Sequence, residues 1–354
     1  MTAHKEQNTA AAPAEGERRY DVVVVGGGAA GLSGALTLAR ARRSVLVVDA
    51  GRPRNAPAAH AHGYLTRDGA APLEILAAGR AEVTGYGGEI VEGSAVAAER
   101  LDTGGFRVVL DDGSAVAADR LLVTTGLVDE PPPVPGVAER WGREVLHCPY
   151  CHGWEVRDQA IGVLATGPLA VHAALLWRQW SEDVALFSHT APEFGDDDYE
   201  RLAARGVAVV DGEVTGLEVT DDRLTGVRLA GGRVIPRQAV VVAPRFTARV
   251  GVLAGLGLEA TEQEMAGHVI GSHIAADPSG ATEVAGVWVA GNVANLTDQV
   301  IGAAAAGVRA AAAINADLVA EETRRAVADR SAPFSARMER ETCERVLADR
   351  RHGL

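Results

Sequence analysis

Cys148 and Cys151 stand two residues apart in His147-Cys148-Pro149-Tyr150-Cys151-His152-Gly153-Trp154-Glu155, and they are two of the three cysteines in the chain. A Cys-x-x-Cys pair can close a small disulfide ring and open it again. Its reactivity depends on a lowered thiol pKa, which nearby positive charge or a helix N-terminus supplies; a helix starting after Cys151 would help hold a thiolate. His152, and more weakly His147, are candidates to take a thiol proton, because an imidazole pKa of about 6.5 suits a base working near neutrality. A packing role is the alternative for His147. The same residues admit a metal site in a binding protein, but no second ligand pair has zinc spacing, and no metal ligand is assigned. Cys343 lies apart in a charged stretch, either incidental or at a dimer contact.

The nearest chemical partner for the sulfurs lies upstream. Residues 20–25 form a β-branched apolar run of the kind buried on both faces of a sheet. Gly26-Gly27-Gly28-Ala29-Ala30-Gly31 follows, then a helical pattern through Leu32, Leu36, Leu38 and Ala39, then a second strand over 44–48 ending at Asp49. This is Gly-x-Gly-x-x-Gly between strand and helix. The glycines allow a tight turn and close approach of a pyrophosphate to the helix N-terminus, while Asp49 can accept from a ribose hydroxyl. Gly26, Gly28, Ala29, Ala30, Gly31 and Asp49 are therefore the expected dinucleotide contacts. Arg52, Arg54, Asn55, His60 and His62 come next, either lining the cofactor pocket or scattered on the surface.

Around these, the chain reads as α/β with strands over 89–110 and 115–123, a helix near 73–83, and a stiff Pro131–Gly136 connector. A second strand–turn–helix–strand begins at Ala160, but its motif is degraded. Ala165 stands where the first glycine would be, Pro168 follows Gly167, and the second strand ends in Ser188-His189-Thr190 beside Glu193, Asp196, Asp197 and Asp198. A nicotinamide dinucleotide needs an acid for its ribose or arginines for a 2′-phosphate, and an acidic cluster repels the phosphate. Strands and hairpins fill 207–243, and Pro244-Arg245-Phe246 is read as opening a loop. A buried strand is expected over 287–293, an Ala/Gly helix over 301–318, and a charged helical tail beyond.

A net charge of −13 argues against nucleic acid as a partner. Three cysteines are too few for a secreted disulfide scaffold. Residues 1–19 are polar, without the apolar core of a signal peptide, and are read as a disordered leader. No run approaches the roughly 18 apolar residues of a membrane span. The expectation is a cytoplasmic protein without a membrane partner.

Gly26-x-Gly28-x-x-Gly31, Asp49, Thr124-Thr125-Gly126, Cys148-x-x-Cys151, and Ala290-Gly291-Asn292 with Gln299 downstream, in that order, resemble the low-molecular-weight thioredoxin reductase family of flavin disulfide reductases. The resemblance covers about residues 19–320. It implies two Rossmann-like dinucleotide-binding domains, the second inserted in the first: an FAD domain of residues 20–135 plus 265–320 and a redox-disulfide domain of residues 136–264. It also implies a homodimer, and FAD contacts from Gly126, Gly291, Asn292, Gln299 and Val300. Three departures stand out. His152 replaces the family's proton-handling Asp, Gly291-Asn292 replaces Gly-Asp while still offering a hydrogen-bonding amide, and the NADPH motif is eroded. Together they resemble the dithiol-oxidase branch, which closes disulfides of gliotoxin- and holomycin-type natural products using FAD and oxygen and needs no nicotinamide. The resemblance then implies a small-molecule dithiol that attacks Cys148, while Cys151, nearer the flavin, passes electrons on, yielding hydrogen peroxide. The competing reading is an NADPH-dependent reductase of a thioredoxin-like protein.

Overall fold

The computed structural model describes residues 17–331 and 336–350. The leader expected over 1–19 lies outside the described residues up to position 16. Residues 17–19 are placed, with Glu17 paired to Arg107 and Arg18 to Glu89.

The chain opens with strand Arg19–Val25 (β1), helix Ala29–Arg40 (α1), strand Val45–Asp49 (β2), helix Pro72–Gly85 (α2) and strand Glu89–Glu92 (β3). Strands Ala95–Arg100 (β4), Phe106–Leu110 (β5) and Ala115–Val123 (β6) follow. β3, β2, β1 and β6 are parallel neighbours, with β5 and β4 added antiparallel. The Val22–Val25 run is buried on both faces, as expected of a central parallel strand covered by helices. Strand Leu127–Glu130 (β7) then leaves this sheet.

A second parallel sheet begins at Val145–Leu146 (β8), followed by the helical turn Pro149–His152 (α3), strand Ile161–Leu164 (β9), helix Leu169–Trp177 (α4) and strand Val184–Phe187 (β10). Helix Asp196–Ala204 (α5) and strand Ala208–Val210 (β11) come next. The hairpin strands Val214–Thr220 (β12), Arg223–Leu229 (β13) and Val234–Pro236 (β14) precede Ala239–Val241 (β15). Sheet order is β11-β10-β9-β15-β8, all parallel, with the β12-β13-β14 ribbon separate. These are the two Rossmann-like units that the sequence implies.

The return crossing differs from expectation. Instead of opening a loop after Pro244, Arg245–Ala248 (β16) is a strand pairing antiparallel with β7, and Thr261–Met265 (β17) and His268–His273 (β18) extend that sheet. Alternation is invisible in so short a run; pairing with a strand more than a hundred residues away organises it. The expected boundary at 264/265 falls inside β17. The strand Val287–Val289 (β19), shorter than the expected 287–293, joins β6 in parallel, and Gly291–Val293 turns as a short 3₁₀ segment.

Helix Val300–Ser331 (α6) outruns the expected 301–318, and Ala336–Arg350 (α7) follows. By length and composition α6 over Val300–Arg330 would suffice to cross a membrane, which corrects the expectation that no run is long enough. Here Ala310, Ala311, Ile314 and Leu318 are buried in the first domain against α1, each fully buried Ile or Leu contributing about 1.5–3 kcal/mol. Small residues set the spacing. A Cβ on Gly307 would lie 2.0 Å from the Ala30 carbonyl, and one on Gly34 would meet Leu122 at 2.5 Å.

Candidate active site

Cys148 and Cys151 are joined as a disulfide with Cα atoms 5.3 Å apart. The expected helix after Cys151 is corrected: Cys148 is the N-cap, and the turn Pro149–His152 carries Cys151 within it. The turn is short because its hydrogen bonds are few, from the Cys151 and His152 N–H groups to the Cys148 carbonyl and from Gly153 N–H to Pro149. Gly153 is required by close packing. A Cβ there would meet the Pro149 carbonyl at 2.5 Å and the Trp180 indole at 2.8 Å. Trp180 also meets Tyr150 edge-on and packs beside the buried Trp177, so the redox turn rests on an aromatic floor.

The two histidines part company. His147 stacks on Trp141 with centroids 5.4 Å apart and takes the edge of Phe246 at 5.9 Å. Burial, with Arg54 and His152 adding to it against Asp129, pushes its pKa down to about 4. At neutral pH His147 is thus an uncharged packing ring. His152 is also lowered, first by burial and then by His62, with Glu155 opposing.

The first domain supplies a cradle. Gly28 caps α1 without a side-chain hydrogen bond, no acid occupies the helix's first turn, and the space a Gly28 Cβ would fill is open. Gly31 has no such room, since a Cβ would sit 1.9 Å from the Gly26 carbonyl. Asp49 lies at the adjacent strand end, accepting from Gly27 N–H at 3.0 Å and paired with Arg80. These features fit a pyrophosphate held by a helix N-terminus beside an acid.

From there the expected residues run on in contact order. Gly291 abuts Ala30, a Cβ on the former coming within 2.9 Å of the latter's methyl. The Asn292 amide donates to the Asn295 and Asp298 carbonyls at 3.0 and 2.9 Å, and its oxygen accepts from Arg54 at 3.2 Å. Asn292 is therefore committed to the protein rather than offering a free amide. An Asp could not donate to two carbonyls, which is a physical reason for Asn here. Arg54 also makes a bidentate pair with Asp129 at 2.6 and 2.7 Å and lies over the Phe246 ring. Gln299 reaches Gly63, where a Cβ would be 3.3 Å from its side-chain oxygen, and Val300 starts α6. Gly126 lies at the end of β6 in a left-handed conformation, its carbonyl accepting from Arg249 N–H.

Gly63 and Cys151 face one cavity of about 560 Å³, also lined by His62, Asp68, Tyr150, Trp154 and Glu155. His62 is the residue that the sequence left ambiguous; Asp68 and Glu155 carried no signal beyond being acidic. His62 Nε2 lies 3.3 Å from Glu155 and Nδ1 3.4 Å from Asp68. Gly63 N–H and His62 hold the exposed Asp68 carboxyl below its usual range. Among the described residues, no group of three or more His, Cys, Asp or Glu is arranged to hold a metal ion.

The second nucleotide unit keeps the fold with an altered turn. Ala165 is fully buried, Pro168 is the N-cap of α4, and His189 at the end of β10 accepts Val214 N–H at 3.1 Å. Asp196, Asp197 and Asp198 form the first turn of α5, where a helix N-terminus favours negative charge.

Comparison with known proteins agrees with this architecture. The family model for pyridine nucleotide-disulphide oxidoreductases matches residues 20–311. Thioredoxin reductase tcpT of Claviceps purpurea (strain 20.1) is 32% identical, over 84% of this chain and 95% of its own. The crystal structure of HlmI superposes with a TM-score of 0.80 at 49% identity, covering 90% of this chain and 98% of that one. The oxidoreductase from Agrobacterium tumefaciens superposes with a TM-score of 0.79 at 37% identity, covering 85% and 99%. The chain belongs to the pyridine nucleotide-disulphide oxidoreductase family, as a thioredoxin reductase-like flavin disulfide oxidoreductase. That membership implies FAD in the cradle described above.

Proposed function

We propose that this family member oxidises a small-molecule dithiol to an intramolecular disulfide, with oxygen as final electron acceptor and hydrogen peroxide as product. The observation that carries the reading is the altered second nucleotide unit. Buried Ala165 stands at the first glycine position, Pro168 starts the helix, and the strand end carries His189, engaged by Val214 N–H, where an acid or arginines would hold a nicotinamide dinucleotide. Electrons then have to enter at the sulfurs.

In this reading one substrate sulfur bonds Cys148, the Cys148–Cys151 bond breaks, and Cys151 leaves with the electron pair. The second substrate sulfur attacks the first and releases Cys148, giving the cyclised disulfide. Cys151 is assigned the flavin side by the family resemblance; it lines one cavity with Gly63, beside which the Gln299 side chain lies. His152, lowered by burial, is neutral near pH 7 and takes a thiol proton. Gly26–Gly31, Asp49 and the 291–300 segment would hold FAD, which would supply a two-electron sink able to pass electrons to oxygen. The exposed Tyr150 and Trp154 rings offer apolar faces at the cavity mouth to a compact heterocyclic substrate. The product class is a disulfide-bridged natural product, and the assembly a homodimer.

The opposite direction, NADPH-driven reduction of a thioredoxin-like protein, is favoured by the name carried by tcpT. An oxygen electrode separates the two. With dithiothreitol and no nicotinamide, the purified yellow protein should consume oxygen and form one peroxide per disulfide. Cys148→Ser should abolish uptake while retaining FAD. Uptake that needs NADPH overturns the oxidase reading.

A further inference from the structure

Forming a disulfide from a dithiol releases two protons, and the redox turn itself supplies one suitable imidazole, His152. The 60–68 loop brings a second. Both ring nitrogens of His62 face carboxylates, Glu155 at 3.3 Å and Asp68 at 3.4 Å. A proton arriving on this ring is therefore flanked by a carboxylate on each side. The His62 side chain is 22% exposed and lines the same cavity as Cys151.

We propose that His62 is a second proton-holding residue of dithiol exchange, serving the Cys151 side of the disulfide. The proposal rests on the dithiol-oxidation reading. Two substrate S–H bonds break, one S–S bond forms in the substrate and one breaks in the enzyme. The electron pair moves to the cysteine sulfurs, and of the two protons one goes to His152 and the other to His62, directly or through one water.

The groups facing His62 are Asp68 and His60 on its own loop, and Glu155 and His152 on the redox segment. Glu155 acts on both imidazoles, whereas Asp68 acts on His62. Asp68→Asn is therefore the discriminating substitution, and its amide oxygen can still accept the Gly63 N–H that shapes the loop.

The test is anaerobic stopped-flow bleaching of the bound flavin by dithiothreitol across pH 5.5–9, a range of about three units around the imidazole pKa. Asp68→Asn removes one of the two negative neighbours of a proton passing through this ring, so it should retain FAD and bleach several-fold more slowly at pH 7. His62→Gln should retain FAD and bleach about 10²-fold more slowly at pH 7. A wild-type flavin that dithiothreitol never bleaches overturns the oxidase reading and this proposal with it. Bleaching in wild type with an undiminished rate in Asp68→Asn or in His62→Gln overturns this proposal alone.

Discussion

The two histidines flanking one redox motif lie in different surroundings. His147 lies in an aromatic slot near the Arg54 guanidinium, where a proton is unwelcome. Its native pKa of about 4 lies below the unfolded value of about 6.5, so between those values the unfolded state binds more protons. Stability should therefore fall as pH drops from 6.5 towards 4, by on the order of 3 kcal/mol from this residue. His147→Phe keeps a stacking ring and removes the titration; its melting temperature should drop less than that of wild type between pH 7 and 4.5. Parallel thermal melts across that range check this, and equal losses would refute it. From sequence, the Cys pair and both histidines are legible because they are adjacent. The His62–Glu155 contact is not, since it joins segments about ninety residues apart that only folding brings together.

At the scale of elements, the glycine turn, β1, α1 and β2 follow directly from residue pattern, since local sterics and a two-face buried strand leave little choice. The elements misread are those whose order comes from elsewhere. β16 owes its strand to β7, α3 starts at Pro149, a residue suited to a first helical position, and α6 runs past its apolar stretch on continuing helical hydrogen bonds. The α1–α6 crossing is the joint that links the cradle to the C-terminal segment. Gly307→Val would force a side chain into the Ala30 carbonyl. Overpacking of this kind costs about 1–3 kcal/mol, so the melting temperature should fall by several degrees, about 2–4 °C per kcal/mol. FAD content should fall with it, because Ala30 belongs to the glycine turn. Differential scanning fluorimetry and the flavin-to-protein absorbance ratio read both, and unchanged values would mean that the helices need not approach so closely.

Across the whole molecule, two like units have diverged. The first keeps an open cradle at α1 beside Asp49, with Gly291 against Ala30, Asn292 bonded to Arg54, and Gln299 beside Gly63 at the cavity that Cys151 lines. The second keeps the parallel sheet but carries a proline, a buried alanine and a hydrogen-bonded histidine at its nucleotide end. This asymmetry was legible as composition, since glycines and arginines were missing; the capping role of His189 required the fold. It is the basis for assigning the direction of electron flow. The direct measurement follows the oxidised flavin band of the purified protein without oxygen, with NADPH in one cuvette and a small dithiol in another. The account predicts bleaching by the dithiol and a stable yellow band with NADPH. Prompt bleaching by NADPH would contradict it.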